Sequence, residues 1–481
     1  MSHSLSGLDA AFLYLETQDT PLHVAQVCVF DPSTGPEPDR PPIEQLRALI
    51  LRRLSRVPRF HQVLVAAPAG LGRPVWAEDP DFDVDYHLRA AFLPAPAGLD
   101  ELARFTAEFL SSPLDHHRPL WEMRIIEGLP DGMVAGVTKV HHSAIDGASG
   151  AEPTSNLLDV EPRPPGELVT EGYDREPPPS SWQFLRQAVV GLARQPLTVA
   201  GALAQAGAAA GRVWRLNRSS PVPPPPAPFS APATPFNAPV GPRRRVAFTQ
   251  LDLGDVTLVR EAFGATVNDV VLAICAGGLR AYLDGKDLRP AKDLVAAVPV
   301  SVRAEDTANT FGDRLTAMLV TLATTIEDPS ERLRAIVVGS RRAKDQSRAI
   351  GADTLAALAD LLPPIVGPGL GRLIAELRLL ERPRPLFNVM ISNLRGPSFP
   401  LYCAGAKLVA RYPLGPLFAG AALNITLQSY LDTLFVGLVG DADAVADLDR
   451  MPGLLRESLA ELVKQAGFSA EQPVRHLRAL P

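Results

Sequence analysis

The segment that most constrains the fold is the run at residues 133–140, which is mostly apolar and leads directly into His141 and His142. A strand with one face in water alternates apolar and polar residues, whereas a strand covered on both faces is apolar nearly throughout. We therefore predict a buried strand here, with the two histidines placed where the chain leaves the core.

The remaining periodicity predicts a mixed α/β chain whose two halves have similar content. The first half has predicted strands at 24–30, 122–127 and 133–140 and helices at 42–57 and 99–110. The second half has predicted strands at 246–253, 293–302, 315–323, 387–392, 408–412, 423–427 and 434–439, and helices at 266–283, 328–345 and 447–467.

The composition changes between the two halves. Proline-rich stretches at 161–181 and 221–239 flank an alanine-rich helical pattern at 182–216. Proline-rich chain favours extended linkers. We therefore predict three parts, an N-terminal half at 1–151, a crossover at 152–242 and a C-terminal half at 243–481.

Charge and cysteine usage exclude several classes of protein. The net charge of −6 argues against nucleic-acid binding, because phosphate recognition needs a basic surface. The three cysteines form no CxxC pair, so a disulfide framework is not expected and a reducing, cytoplasmic compartment fits. Neither a secretory signal nor a transmembrane helix is predicted. Residues 195–211 and 361–380 are candidates for a membrane surface or for buried helices.

The run at 141–147 has residues suited to proton transfer. His142 and Asp146 are four residues apart, and Asp146-Gly147 favours a tight turn after the predicted strand. Asp146 can hold such a turn by bonding backbone amides or an arginine, which leaves His142 free to take a proton near neutral pH. The chain has no GxSxG nucleophile elbow, so direct transfer to a hydroxyl acceptor is favoured over a serine acyl-enzyme.

Two other interpretations of the histidines stay open from the residues alone. A metal centre is one alternative, with His116, His117, His141 and His142 as its ligands. Adjacent strand residues point to opposite faces, however, and the sequence has no HExxH motif. A surface turn with two polar histidines is the simpler alternative.

Beyond this spacing, residues 141–147 resemble the HHxxxDG signature of acyltransferases related to chloramphenicol acetyltransferase and to peptide-synthetase condensation domains. Further blocks, in order along nearly the whole chain, resemble the bacterial wax ester synthase/diacylglycerol acyltransferase family. These blocks are Leu8-Asp9-Ala10, Pro119-Leu120-Trp121, Thr234-Pro235-Phe236-Asn237, Asn268-Asp269, Pro299-Val300-Ser301-Val302-Arg303, Ser392-Asn393 and Asn424-Ile425.

The resemblance implies a fold and a set of roles. The fold would be two chloramphenicol-acetyltransferase-like halves joined by the proline-rich helical crossover, with the active site at their interface. His142 would be the general base, Asp146 the structural partner of the loop, Gly147 the turn residue, and His141 a residue lining the site. Asn268 would bond the oxyanion or a substrate, unless it only caps a helix. No metal or cofactor is implied.

The function implied is acyl-CoA-dependent O-acyltransfer, making triacylglycerol from diacylglycerol or wax esters from long-chain alcohols. Acyl-CoA would be a co-substrate, and the enzyme would work at the periphery of a membrane or on a lipid droplet. Two alternatives are a condensation-type acyltransferase that uses carrier-bound donors and a non-catalytic lipid-binding protein.

Overall fold

The computed structural model describes residues 5–35, 40–67, 72–95, 97–145, 156–162, 181–302, 314–351, 354, 357 and 384–467. These residues form two six-stranded sheets and one two-stranded hairpin, with helices packed against them. Both large sheets contain parallel and antiparallel pairs. The predicted mixed α/β fold with two halves is confirmed.

The first half is built mainly from short elements. In chain order they are α1 Gly7–Leu15, β1 His23–Asp31, α2 Pro42–Arg53, β2 Gln62–Val65, β3 Val75–Glu78, α3 Val84–His87, β4 Leu88–Phe92, α4 Leu99–Ser111, β5 Trp121–Glu127 and β6 Val134–His141. Every residue of β6 is buried, as its apolar sequence predicted.

The crossover helix α5 comes next along the chain and is followed by the elements of the second half. Together they are α5 Ser181–Ser219, β7 Arg244–Asp252, α6 Leu253–Phe263, α7 Val267–Asp284, β8 Val295–Val302, β9 Arg314–Thr321, α8 Pro329–Ile350, β10 Val389–Leu394, β11 Tyr402–Cys403, β12 Ala406–Leu414, β13 Leu423–Tyr430, β14 Thr433–Asp441 and α9 Met451–Gln465.

The two sheets are interlocked by a strand exchange. The first has the order β11-β12-β1-β6-β5-β4 and the second β7-β14-β13-β10-β8-β9. Strand β12 therefore leaves the second half and pairs antiparallel with β1, with Tyr412 opposite Val27. The division of the chain at 151 and 242 stays a prediction, and two strands from beyond it complete the first sheet.

The sheets contact each other where β12 faces β14. Gly437 lies in β14, opposite Phe248 and Thr426, and a Cβ atom there would overlap the carbonyl oxygen of Pro413 in β12. Nearby, Gln26 Nε2 of β1 donates a hydrogen bond to Gln428 Oε1 of β13 across 3.0 Å. Close backbone approach at a residue without a side chain thus joins the two halves.

Several predicted boundaries need correction. The predicted helix at 42–57 ends at Arg53 and is followed by short 3-10 turns. Pro58 disfavours helical geometry at the residue before it, and Val57 accordingly has a φ of −129°. The sequence patterns did not predict helices α1, α3 and α6, the hairpin β2–β3, or strands β4 and β11. Each is short, and β4 has a mixed exposure pattern that weakens its period.

Candidate active site

The loop that carries the histidines begins at the end of β6. His141 pairs with His23 of β1, and the His142 N–H donates to the carbonyl oxygen of Leu22 at 2.9 Å. The chain then makes one 3-10 turn, His142–Ala144, and the Ile145 N–H donates to the His142 carbonyl. A tight turn directly after a buried strand is the predicted arrangement. Asp146 and Gly147 lie outside the described residues, so their predicted roles stay predictions.

His141 is fully buried and has a defined tautomer. Its Nδ1 accepts a hydrogen bond from the Ser143 backbone N–H at 3.1 Å, and the Ser143 hydroxyl lies 2.6 Å from the same nitrogen. A neutral imidazole carries one proton, so that proton must be on Nε2. Nε2 faces Glu16 Oε2 at 3.4 Å. His141 therefore supports the turn and presents its proton to a carboxylate.

Glu16, just after α1, links three parts of the first half. Its Oε2 lies 2.7 Å from His116 Nε2, and its Oε1 accepts from the Leu22 N–H at 3.2 Å. Burial alone would raise the pKa of Glu16, but the contacts with His116 and His141 hold that pKa far below its ordinary value. The hydrogen bond between His116 Nε2 and Glu16 Oε2 raises the pKa of His116. Glu16 was not among the predicted site residues, because no motif marks a carboxylate that lies 125 residues before its partner His141.

The Glu16, His116 and His141 side chains also offer three ligand atoms within 4.8 Å of one another, the spacing of a metal site. Coordination through His141 Nε2 would require the ring proton to move to Nδ1. That nitrogen already receives the Ser143 N–H, so the proton would face another donor. The donor chemistry therefore fits a hydrogen-bonded cluster better than a metal centre.

His142 is not part of this cluster. Its ring is partly buried and stacks on Phe12 of α1, with the ring centroids 3.9 Å apart and an angle of 18° between the planes. Burial, followed by the neighbouring His141, lowers the pKa of His142 to about 4. The imidazole is therefore neutral at pH 7 and keeps an unprotonated nitrogen.

This pKa predicts the pH dependence of turnover. A base with a lowered pKa stays unprotonated over a wider range, so kcat/KM should stay level from pH 8 down to about pH 5 and fall as pH approaches about 4. A pH–rate profile with circular dichroism recorded at each point would measure this. An acid limb centred near 6.5 with the fold intact would show that the titrating base is not this histidine in this environment.

The same geometry predicts a stability effect for Glu16→Gln. Removing the buried charge weakens two contacts, so the free energy of unfolding should fall by about 1–3 kcal/mol at pH 7. Because the folded pKa is lowered, this stability is present above the ordinary value of 4.5 and is lost as pH falls below it. Urea unfolding at pH 7 and pH 3.5 should show a smaller difference at the lower pH. Glu44→Gln, at a carboxylate that is 58% exposed, is the control and should have little effect.

Asn268 lies in the first turn of α7, in the second half. The cap of this helix is made by its neighbours, since Thr266 and Asp269 bond each other's backbone N–H groups and Ser340 donates to buried Asp269. Asn268 Nδ2 is buried and has no hydrogen-bond partner within the described ranges. The described residues show no bond between Asn268 and His142. The predicted role of Asn268 in binding the oxyanion stays a prediction. Its support is the Nδ2 donor, which is buried and makes no hydrogen bond to the described residues.

The second half contacts the segment before β1 through Arg244 of β7. Its guanidinium donates to the Asp19 carbonyl, and its backbone N–H donates to Ser111 Oγ at 3.0 Å. Asp19 lies in the segment between Glu16 and β1, so the surroundings of His141 contact both halves.

Trp121, from the Pro-Leu-Trp block, has a structural role. Its ring packs on Phe60, and its indole N–H donates to the Phe60 carbonyl oxygen at 2.8 Å.

The fold of two interlocked α/β sheets is shared with condensation-type domains. The first condensation domain of the calcium-dependent antibiotic synthetase is 18% identical, with a TM-score of 0.56 over 97% of this chain and 96% of that one. A starter condensation domain of rhizomide synthetase is 15% identical, with a TM-score of 0.54. At this identity the likeness concerns the fold alone.

The family is shown by closer matches. The model of the wax ester synthase/diacylglycerol acyltransferase catalytic domain matches residues 5–271, and that of the family's C-terminal domain matches residues 311–463. The wax ester synthase/diacylglycerol acyltransferase from Marinobacter aquaeolei is 32% identical, with a TM-score of 0.68 over 97% of this chain and all of that one. This chain belongs to the wax ester synthase/diacylglycerol acyltransferase family, which confirms the resemblance.

Two relatives from Mycobacterium tuberculosis agree with that assignment. One, described as a putative diacylglycerol O-acyltransferase, is 36% identical over 98% of this chain and 91% of its own length. Another, described as a probable diacylglycerol O-acyltransferase, is 33% identical over 96% of this chain and 98% of its own length. The similarity thus extends over both halves and the crossover.

Proposed function

We propose that this protein is an acyl-CoA-dependent O-acyltransferase that forms triacylglycerol from diacylglycerol and accepts long-chain alcohols to form wax esters. The observation that carries the proposal is the position of His142, which follows β6 directly and stacks on Phe12, in a run that resembles the HHxxxDG signature. Family membership and the descriptions of the relatives support the acceptor class.

The proposed reaction needs one base and no covalent enzyme intermediate. The acceptor hydroxyl gives its proton to His142 as its oxygen attacks the thioester carbonyl. The tetrahedral intermediate then breaks its carbon–sulfur bond, and protonated His142 returns the proton to the CoA thiolate. Donors that face the carbonyl oxygen, with Asn268 Nδ2 as a candidate, lower the barrier by stabilising the oxyanion.

Glu16 and His141 have supporting roles in this proposal. His141 Nδ1 accepts the Ser143 N–H and so shapes the turn, and Glu16 places a carboxylate 3.4 Å from the protonated Nε2 of His141. The Phe12 ring covers one face of the His142 imidazole and so limits its rotation. A base held in one orientation loses less entropy on reaching the transition state.

We also propose that the enzyme acts at the periphery of a membrane or on a lipid droplet, where its acceptors dissolve. Among the described residues, no single helix is long and apolar enough to cross a bilayer. The bent pair α6 and α7 meets the length and composition criteria together, but α7 is buried along most of its length in the core of the second half.

The fold likeness to condensation domains gives a second candidate, transfer from a carrier-bound acyl group. Both candidates are tested by incubating the enzyme with palmitoyl-CoA or palmitoyl-carrier protein, each with dioleoylglycerol and with hexadecanol. We expect ester formation from palmitoyl-CoA with both acceptors. Activity with the carrier-bound donor alone would favour the second candidate, and lipid binding without ester formation would indicate a non-catalytic protein.

A further inference from the structure

The crossover helix α5 differs in charge from the rest of the chain. Ser181–Ser219 is 39 residues long and contains five arginines and no aspartate or glutamate, although the whole chain has a net charge of −6. A positive helix on a negative protein is favoured at an anionic surface.

One face of α5 is attached to the second half. Ala202 and Ala209 are buried, and Arg342 of α8 donates to the Leu216 carbonyl at 3.1 Å and to Asn217 Oδ1 at 2.7 Å. Arg212 in turn donates to the carbonyl of Ala349 at 2.7 Å. These contacts fix which side of the helix faces solvent.

The outer face carries large apolar side chains. Trp182, Val189, Leu203 and Trp214 are 70%, 58%, 62% and 60% exposed. At about 100° per residue these four positions fall within roughly 60° of arc, on the other side of the helix from the two buried alanines. We call these four residues the α5 stripe. Solvent-exposed apolar residues aligned along about nine turns mark an interaction surface.

Cationic side chains border the stripe. Arg186, Arg215 and Arg218 are exposed, and the Arg218 guanidinium lies over the Trp214 ring at 5.2 Å. Tryptophan is favoured at the boundary between water and lipid, and arginine beside it can bind phosphate groups while its stem contacts apolar surface. The combination fits a helix that lies in the plane of a bilayer surface.

We propose that the α5 stripe binds the surface of a membrane that contains anionic phospholipid. This inference deepens the proposed peripheral location by assigning it a surface and a lipid chemistry. It rests on the proposed function only through that location. Binding to vesicles requires no turnover, so this inference and the proposed acyltransfer can fail separately.

The test is co-sedimentation of the full chain with vesicles of phosphatidylglycerol and phosphatidylcholine, compared with phosphatidylcholine alone. We expect the triple variant Trp182→Ser/Leu203→Ser/Trp214→Ser to bind mixed vesicles at least tenfold more weakly. The matched control is Phe92→Ser/Leu288→Ser, which changes residues outside α5 that are 73% and 49% exposed, and it should bind like the unmodified protein. Equal binding by the triple variant and the control would overturn the proposal.

A second variant tests the charge without touching the stripe. Arg186→Gln/Arg215→Gln/Arg218→Gln should weaken binding to mixed vesicles at least tenfold and flatten its dependence on salt. Unchanged binding and salt dependence would contradict the role of anionic lipid. Failure of the unmodified protein to bind mixed vesicles would overturn the proposal directly.

Tryptophan fluorescence locates the contact. Of the four tryptophans, Trp76 and Trp121 are buried at 3% and 1% exposure, and the other two belong to the stripe. Brominated phospholipid should therefore quench about the fraction of emission that the triple variant lacks. Vesicle binding without quenching would place the lipid contact elsewhere. A lipid-free dimer that the triple variant abolishes would assign the stripe to a second copy of the chain and also overturn the proposal.

Discussion

Replacing His142 with alanine is expected to lower kcat for CoA release from palmitoyl-CoA and diacylglycerol by about 10²- to 10⁴-fold, the usual contribution of a positioned general base. The side chain is partly buried, stacks on Phe12, and is neutral at pH 7 because its pKa is lowered to about 4. Its removal leaves the acceptor hydroxyl without a group to take its proton.

The variant should keep its fold, because the β6 pairing and the Leu22 hydrogen bond use backbone atoms. Circular dichroism and the temperature of unfolding would verify this. His117→Ala is the matched control, since His117 is exposed and is not part of the cluster of Glu16, His116 and His141. Its kcat should stay within about twofold of the unmodified enzyme. Turnover by a folded His142→Ala protein at the unmodified rate would remove His142 from the mechanism.

The second large effect is expected at the contact between the sheets. Gly437→Ala would place a methyl group against the Pro413 carbonyl oxygen, and the Leu414 side chain is 2.8 Å from the same position. Overpacking of this kind costs about 1–3 kcal/mol and sometimes more, and here it also separates β12 from β14. We expect a lower urea midpoint and a loss of activity, since the contact joins the two halves.

Gly453→Ala is the control for that change. Gly453 lies inside α9, and a Cβ atom there meets no other heavy atom within 4 Å. Alanine favours a helix more than glycine, so the free energy of unfolding should stay level or rise by about 1 kcal/mol. If both variants unfolded at the same urea concentration, the sheets would not be in the close contact described.

The sequence predicted the part of the site that depends on local pattern. An apolar run indicates a buried strand wherever it lies in the sheet, and residues 141–147 carry a turn signal of their own. The helix at 99–110 and the capped helix after Thr266 followed from the same kind of local information. These predictions needed no knowledge of which strands are neighbours.

The contacts that determine the tautomer and surroundings of the histidines could not be predicted from local sequence patterns. Glu16 reaches His141 only because β1 pairs with β6, and the register of that pair is a tertiary property. In the same way, no periodicity shows that β12 leaves the second half to join β1. The tautomer of His141 depends on one backbone N–H in a turn, which a motif cannot specify.

The measurement that tests the central claim most directly compares CoA release with product formation in rapid mixing of the enzyme with palmitoyl-CoA, with and without diacylglycerol. Direct transfer through His142 predicts one triacylglycerol for each CoA released when the acceptor is present. It predicts no stoichiometric burst of CoA when the acceptor is absent. A burst equal to the enzyme concentration without acceptor, or CoA release without triacylglycerol, would contradict this account.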